Sequence, residues 1–287
     1  MTKTIPYLKM NGLGNDFVVI DNRQLNYQFS SEQIRAISNR ETGIGCDQFI
    51  IMDTPPSGAD ILMRIYNYDG GEVEACGNAT RCIAAVISKE LGKNNIIVAT
   101  SVGFLPSIVN GDLVSVDMGK PLFAWDQIPL SEEFSDTTKI ELQIGPIDDP
   151  ILHTPAVVNV GNPHAIFFVK EDPDVYELEL FGPMLENHPI FPERANISIA
   201  QVTAQNEIKL RVWERGVGLT KACGTAACAT AICAVRLNLT NQEVAIDLPG
   251  GRLNLHWRKS DNHIIMSGAY SLDGSGIIPQ KLLTLSA

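Results

Sequence analysis

Two cysteines stand out by their surroundings. Ala75-Cys76-Gly77 and Ala222-Cys223-Gly224 are copies of one triplet, and their sulfurs are 147 positions apart (223 − 76), about half of the 287-residue chain. Each Cys-Gly pair opens a run without Gly or Pro, Asn78 to Leu91 and Thr225 to Leu237. Each therefore sits at the mouth of an expected helix. Unpaired amides and the positive end of the helix dipole lower a thiol there from about 8.5 toward neutrality. A thiolate and a thiol on opposite faces of one carbon can invert it. One removes a proton, the other delivers one, and the roles exchange in the reverse direction. The opening amides at Gly77-Asn78 and Gly224-Thr225 can bind a carboxylate and the aci-carboxylate left when the α-proton departs. The spacing points to racemisation or epimerisation beside a carboxylate. No Gly-x-Gly-x-x-Gly fingerprint, cofactor-lysine motif or metal cluster is evident, so a cofactor-free reaction is expected.

The offset of 147 recurs elsewhere. It carries Gly14-Asn15 onto Gly161-Asn162, Arg64 onto Arg211, Tyr66 onto Trp213, Asn67 onto Glu214 and Gly71 onto Gly218. The chain reads as a duplicated domain. Period-2 patterns predict strands at Ile61–Tyr66 and Lys209–Trp213, with others at Ile96–Thr100, Leu113–Met118, Val244–Leu248 and Ile264–Ser267. Gly92 suits a C-terminal cap for the first helix, and Ser31–Arg40 predicts a further amphipathic helix. The two post-cysteine helices are apolar nearly all round, so each belongs inside its own half. The expected fold is α+β, with two pseudo-symmetric domains, each a strand cage around a central helix. Residues 1–122 with the tail 268–287 form the half carrying Cys76. Residues 123–267 form the half carrying Cys223.

Composition narrows the function. With 22 basic and 33 acidic residues the net charge is −11. Without a Lys/Arg run, binding to nucleic acid or an anionic membrane surface is disfavoured. Six cysteines, none spaced Cys-x-x-Cys, suit neither a disulfide framework nor zinc. Cys82, Cys228 and Cys233 read as buried small hydrophobes inside helices, and Cys46 as structural. No signal peptide is expected in Met1–Gly14, and the run Ala222–Val235 is too short to span a bilayer. A reducing cytoplasm with free thiols is the expectation.

Six ordered motifs complete the reading: Lys9-Met10-Asn11-Gly12-Leu13-Gly14-Asn15-Asp16-Phe17, Asn67-Tyr68-Asp69-Gly70-Gly71 with Ala75–Cys82, Gly161-Asn162-Pro163-His164, Pro192-Glu193-Arg194-Ala195-Asn196-Ile197, Trp213-Glu214-Arg215-Gly216, and Ala222–Ala229. From Tyr7 to Gly276 the chain resembles the diaminopimelate epimerases, cofactor-independent enzymes that interconvert LL- and meso-diaminopimelate in lysine biosynthesis. The resemblance implies that Cys76 and Cys223 are the base and acid, and that Asn15, Gln48, Asn67, Asn162, Asn196, Glu214 and Arg215 contact substrate. It further implies that the amides of Gly77, Asn78, Gly224 and Thr225 clamp the reacting carboxylate, that His164 and Glu214 tune the thiols, and that the protein forms a homodimer. An Arg for a distal carboxylate and side-chain acceptors for its ammonium make chemical sense of that set. Ala79, and Ala226 or Ala227, depart from the glycines of many relatives, and Ser271-Leu272-Asp273-Gly274 lacks the aromatic that relatives often have before Asp-Gly or a similar turn. Two other readings remain open: a cysteine-pair racemase for another amino acid, such as proline or hydroxyproline, and a non-catalytic thiol switch or metal-binding protein.

Overall fold

The computed structural model describes residues 4–74 and 76–284. Ala75 of the first triplet and the ends 1–3 and 285–287 lie outside the described residues. The chain divides into two compact units, Met1–Val116 with Gly268–Ala287, and Asp117–Ser267.

In the first unit, β1 (Pro6–Gly12), β2 (Asn15–Asp21), α1 (Ser31–Ser38), β3 (Gln48–Asp53), β4 (Ile61–Asn67), β5 (Glu72–Val73), α2 (Gly77–Leu91), β6 (Asn95–Thr100), β7 (Gly103–Asn110) and β8 (Leu113–Asp117) follow in order. Strand β1 pairs antiparallel with β2, β2 parallel with β3, β3 antiparallel with β4, β4 parallel with β6, and β6–β7–β8 form a meander. Helix α2 packs on β1, β4, β6 and β7, which places the apolar run after Cys76 inside the unit. Its Ala79, Cys82, Ile83, Ala84 and Ile87 are buried. Gly92 ends it in the left-handed conformation, φ 64°, which Gly adopts without a Cβ clash. The opposite sheet face is covered by α1, so β3 is apolar on both sides: Phe49 and Ile51 join a cluster with Ile34 and Ile37. Helix α1 stops at Ser38 rather than Arg40. Asn39 takes an extended backbone, and its side-chain oxygen accepts from the amides of Glu41 and Thr42, a local turn that competes with another helical turn.

The second unit holds β9 (Gln143–Ile144), β10 (Leu152–His153), β11 (Ala156–Asn159), β12 (Pro163–Val169), α3 (Leu178–Glu186), β13 (Asn196–Ala204), β14 (Glu207–Glu214), β15 (Gly218–Thr220), α4 (Gly224–Arg236), β16 (Glu243–Leu248), β17 (Gly251–Arg258) and β18 (His263–Ala269). Its pairings repeat those of the first unit. β11–β12 and β13–β14 are antiparallel, β12–β13 and β14–β16 parallel, and β16–β17–β18 is again a meander. Helix α4 packs on β11, β12, β13, β16 and β17. The outer sheet face is covered by α3, through Leu178, Phe181 and Leu185. The fold is thus α+β and duplicated, with one buried helix caged by strands in each unit. Asp117 opens the second unit, its carboxylate bonded to His263 Nδ1 at 2.7 Å and paired with Arg258 at 3.1 Å. The tail segment from Ser271 forms strand β19 (Ser271–Ile277), antiparallel to β1 with a bulge at Lys9/Met10, followed by the short α5 (Gln280–Leu283).

Candidate active site

Cys76 caps α2 and Cys223 caps α4, both with extended backbone, φ −147° and −131°. Neither helix start uses a side-chain cap. The cysteine carbonyls accept the first helical bonds, from Thr80 N–H at 2.9 Å and Ala227 N–H at 3.1 Å, so the preceding helical amides have no acceptor within the helix.

In the first unit three candidate side chains stand at the ends of successive strands. Asn15 opens β2, Gln48 opens β3 and Asn67 closes β4, and Gln48 is directly opposite Asn67 in register. Gln48 Nε2 donates to Asn67 Oδ1 at 3.0 Å, which leaves Gln48 Oε1 as an acceptor. The side-chain oxygens of Asn15, Gln48 and Asn78 are buried without a protein partner. A buried acceptor left unmade is costly, so three of them gathered on neighbouring elements suit a ligand bearing N–H donors. Gly12 lies tight on the helix start; a Cβ there would be 3.0 Å from the carbonyl oxygen of Asn78. Asp16 and Asp47 lock the strand ends beneath Asn15 and Gln48. The Asp16 amide donates to Asp47 Oδ2 at 3.0 Å and the Asp47 amide to Asp16 Oδ1 at 3.1 Å, while Lys9 and Arg40 pair with Asp16 at 2.6 and 2.7 Å. Those cations and donors hold the Asp16 carboxyl well below the usual carboxylate range against the opposing effect of burial.

In the second unit, Asn162 Oδ1 is 2.7 Å from His164 Nε2. Asn196 donates to the carbonyl of Pro163 at 3.0 Å and accepts from the Arg215 amide at 3.0 Å. The Arg215 guanidinium donates to the carbonyl of Glu193 at 3.0 Å. Glu214 accepts from the hydroxyl of Thr220. The Cys223 sulfur is 3.5 Å from Thr225 Oγ1.

The electrostatics correct one expectation. Cys223 is only 5% exposed, and its thiol is pushed well above its ordinary value, first by burial and then by the Glu214 carboxylate. The Thr225 hydroxyl and the Ala226 amide act in the opposite direction and are outweighed. A helix mouth lowers a thiol only where the sulfur keeps a polar setting; here desolvation of the anion wins. Cys223 therefore stands as a neutral thiol, a proton donor. His164 is fully buried, and burial followed by the Arg215 charge lowers it to about 3. A neutral His164 donates from Nε2 to Asn162, so its structural work is to hold that amide. Cys82 and Cys233 are buried and pushed up to about 12, and Cys46 is also raised by burial, all as inert core thiols. Asp16 and Asp47 in the first unit, and Thr220 and Glu186 in the second, each bond to or beside a candidate residue of their own unit, although sequence reasoning passed over them. Only the adjacency of Asp16 and Asp47 to Asn15 and Gln48 carried any signal.

Among the described residues, no group of three His, Cys, Asp or Glu side chains is placed to hold a metal ion, and no helix is long and apolar enough to cross a membrane.

Comparison with known proteins gives concordant results. The family model for diaminopimelate epimerase matches residues 7–124 and 156–272. The diaminopimelate epimerase of Afipia carboxidovorans is 50% identical over 287 residues, covering 98% of this chain and 97% of that one. That of a Bradyrhizobium species is 48% identical over 279 residues, covering 96% of each. Among solved structures, a phenazine biosynthesis protein of the PhzF family from Enterococcus faecalis superposes with a TM-score of 0.69 at 14% identity, covering 96% of this chain and 99% of that one, a likeness of fold. With the family's motifs in order along nearly the whole chain and half of all residues shared with a relative, the chain belongs to the diaminopimelate epimerase family.

Proposed function

We propose that the protein interconverts LL- and meso-diaminopimelate without a cofactor, using Cys76 and Cys223 as the proton-transferring pair. The observation that carries this reading is the repeated cysteine cap: each unit ends a buried helix in a Cys-Gly start with polar side chains beside it. A thiolate takes the α-proton, and the C–H electron pair passes into the carboxylate as an aci-carboxylate. The other thiol protonates the opposite face, the electron pair returns to carbon, and the donor is left as thiolate. The reverse direction exchanges the roles. The amides of Gly77, Asn78, Gly224 and Thr225 are the donors for the developing oxyanion. Cys223, held neutral by burial and Glu214, is suited to the acid role in the direction in which Cys76 is the base. Arg215 takes the distal carboxylate, and Asn15, Gln48, Asn67, Asn162, Asn196 and Glu214 take the ammonium groups and the remaining oxygens. A cyclic imino acid with one carboxylate would leave most of that polar set without a partner, which weighs against a proline-type substrate. The reading carries with it the cytoplasm, where free thiols persist, and a homodimer, as the family resemblance implies.

The test is incubation with LL-diaminopimelate in D₂O without cofactors. Inverted product should carry deuterium from the first turnover, while recovered starting isomer stays largely unlabelled early on. Cys76→Ala and Cys223→Ala should each abolish epimerisation. Early product retaining substrate hydrogen, or substantial turnover in either variant, would reject the mechanism. Turnover of proline in place of diaminopimelate would reject the substrate.

A further inference from the structure

Glu186, at the C-terminal end of α3, is a buried carboxylate outside the proton-transfer machinery. Its Oε2 accepts from the Trp213 indole N–H at 2.7 Å, and its Oε1 from the Gly216 amide at 2.8 Å. Arg194 Nη1 reaches Oε1 at 3.3 Å, and the Glu186 carbonyl accepts from the Ala195 amide at 3.3 Å. These donors bracket the candidate substrate contacts. Ala195 precedes Asn196, Trp213 precedes Glu214, and Gly216 follows Arg215. The two bracketed segments are themselves joined, Arg215 N–H to Asn196 Oδ1. The Trp213 ring has little freedom. A Cβ on Gly182 of α3 would lie 2.4 Å from the ring, and one on Gly218 3.6 Å from it. An apolar side chain could anchor α3 without desolvating a charge. A carboxylate has two oxygens, and here each serves an N–H from the far end of β14 or the turn after it.

We infer that Glu186 is a positioning residue for this site. It sets the start of β13, with Asn196, and the Glu214–Arg215 turn in register with each other, so that the guanidinium and the Asn196 amide meet a substrate in fixed geometry. The inference rests on the substrate-contact reading above.

The experiment is steady-state kinetics with diaminopimelate on the full chain carrying Glu186→Ala, Glu186→Gln or Trp213→Phe, together with hydrogen exchange at the Gly216 amide. A positioning role raises KM at least tenfold in Glu186→Ala. Glu186→Gln, which keeps one carbonyl acceptor, and Trp213→Phe, which keeps the ring but not the N–H, give smaller increases. The Gly216 amide then exchanges at least tenfold faster in Glu186→Ala, while amides in the core of α4 do not. A merely structural role behaves differently: it lowers the folded fraction and apparent kcat, and leaves KM in place. KM within twofold of wild type in all folded variants overturns the inference. Should Glu186→Ala fail to fold, an unchanged KM in both Glu186→Gln and Trp213→Phe overturns it just as well. A wild-type protein inactive on diaminopimelate would sink the substrate reading instead, and the Gly216 exchange, faster or unchanged, would then decide the role of Glu186 alone.

Discussion

Replacing Arg215 by lysine isolates one contact in the proposed site. The Arg215 amide, not its side chain, donates to Asn196 Oδ1, so the substitution leaves Asn196 in place. Two things are lost. The guanidinium no longer donates to the Glu193 carbonyl, a net contribution of about 1 kcal/mol. A planar fork on the substrate's distal carboxylate becomes a point charge, for which about 2 kcal/mol is the low end of the range for disrupting a closed charge pair. The first is a loss of folded stability shared by free and bound protein; at about 1.36 kcal/mol per tenfold, the second alone, about 2 kcal/mol, raises KM roughly 30-fold. Arg215→Ala, losing the charge as well, moves toward about 5 kcal/mol and several thousandfold. The α-proton is remote from this contact, so kcat should change far less than KM, the signature of binding shared by ground and transition states. Initial rates of α-deuterium incorporation from LL-diaminopimelate in D₂O, across substrate concentration, give both parameters. A KM within twofold of wild type in Arg215→Lys, with the variant folded, would remove Arg215 from the site.

Other perturbations test the rest of the structure. Gly182→Ala should destabilise the second unit despite removing a glycine from a helix. Overpacking against the Trp213 ring costs about 1–3 kcal/mol and the helix gain is at most about 1 kcal/mol, so urea melts should show a loss; a stabilised variant would refute the clamp. His164, lowered to about 3 in the folded protein against about 6.5 unfolded, favours folding fully only above pH 6.5. As pH falls from 6.5 toward 3 the unfolded chain takes up the proton first, and about 2 kcal/mol is lost by pH 5. Melts from pH 7 to 5 should therefore be steeper for wild type than for His164→Gln, and parallel curves would contradict a buried neutral histidine. Iodoacetamide at pH 8 should label Cys76, which is partly exposed, ahead of Cys82 and Cys233, which burial pushes up to about 12. Peptide mass spectrometry showing equal labelling would refute that order.

Much of this protein is legible in one dimension. The duplication, the two cysteine helix starts, the Gly92 cap and six of the strands (β4, β6, β8, β14, β16 and β18) follow from spacing, periodicity and the glycines, because those features depend on local geometry repeated along the chain. The choice of Asn15, Gln48 and Asn67 as a group came from motif resemblance; their adjacency belongs to the parallel pairing of β2 with β3 and the register of β4, which no local pattern encodes. Helix α3 was not among the expected elements, and it carries Gly182-Pro183 within it. Gly182 is there for the Trp213 ring, a partner about thirty residues away in sequence. The charge states were the least legible. From its position at a helix mouth Cys223 should ionise readily, yet enclosure and the Glu214 carboxylate at the end of β14 keep its thiol protonated. Local sequence determines where a backbone dipole points. How much water remains around a sulfur, and which charge lies beside it, is decided by how the elements pack, even when, as for Glu214 and Cys223, they are only nine residues apart.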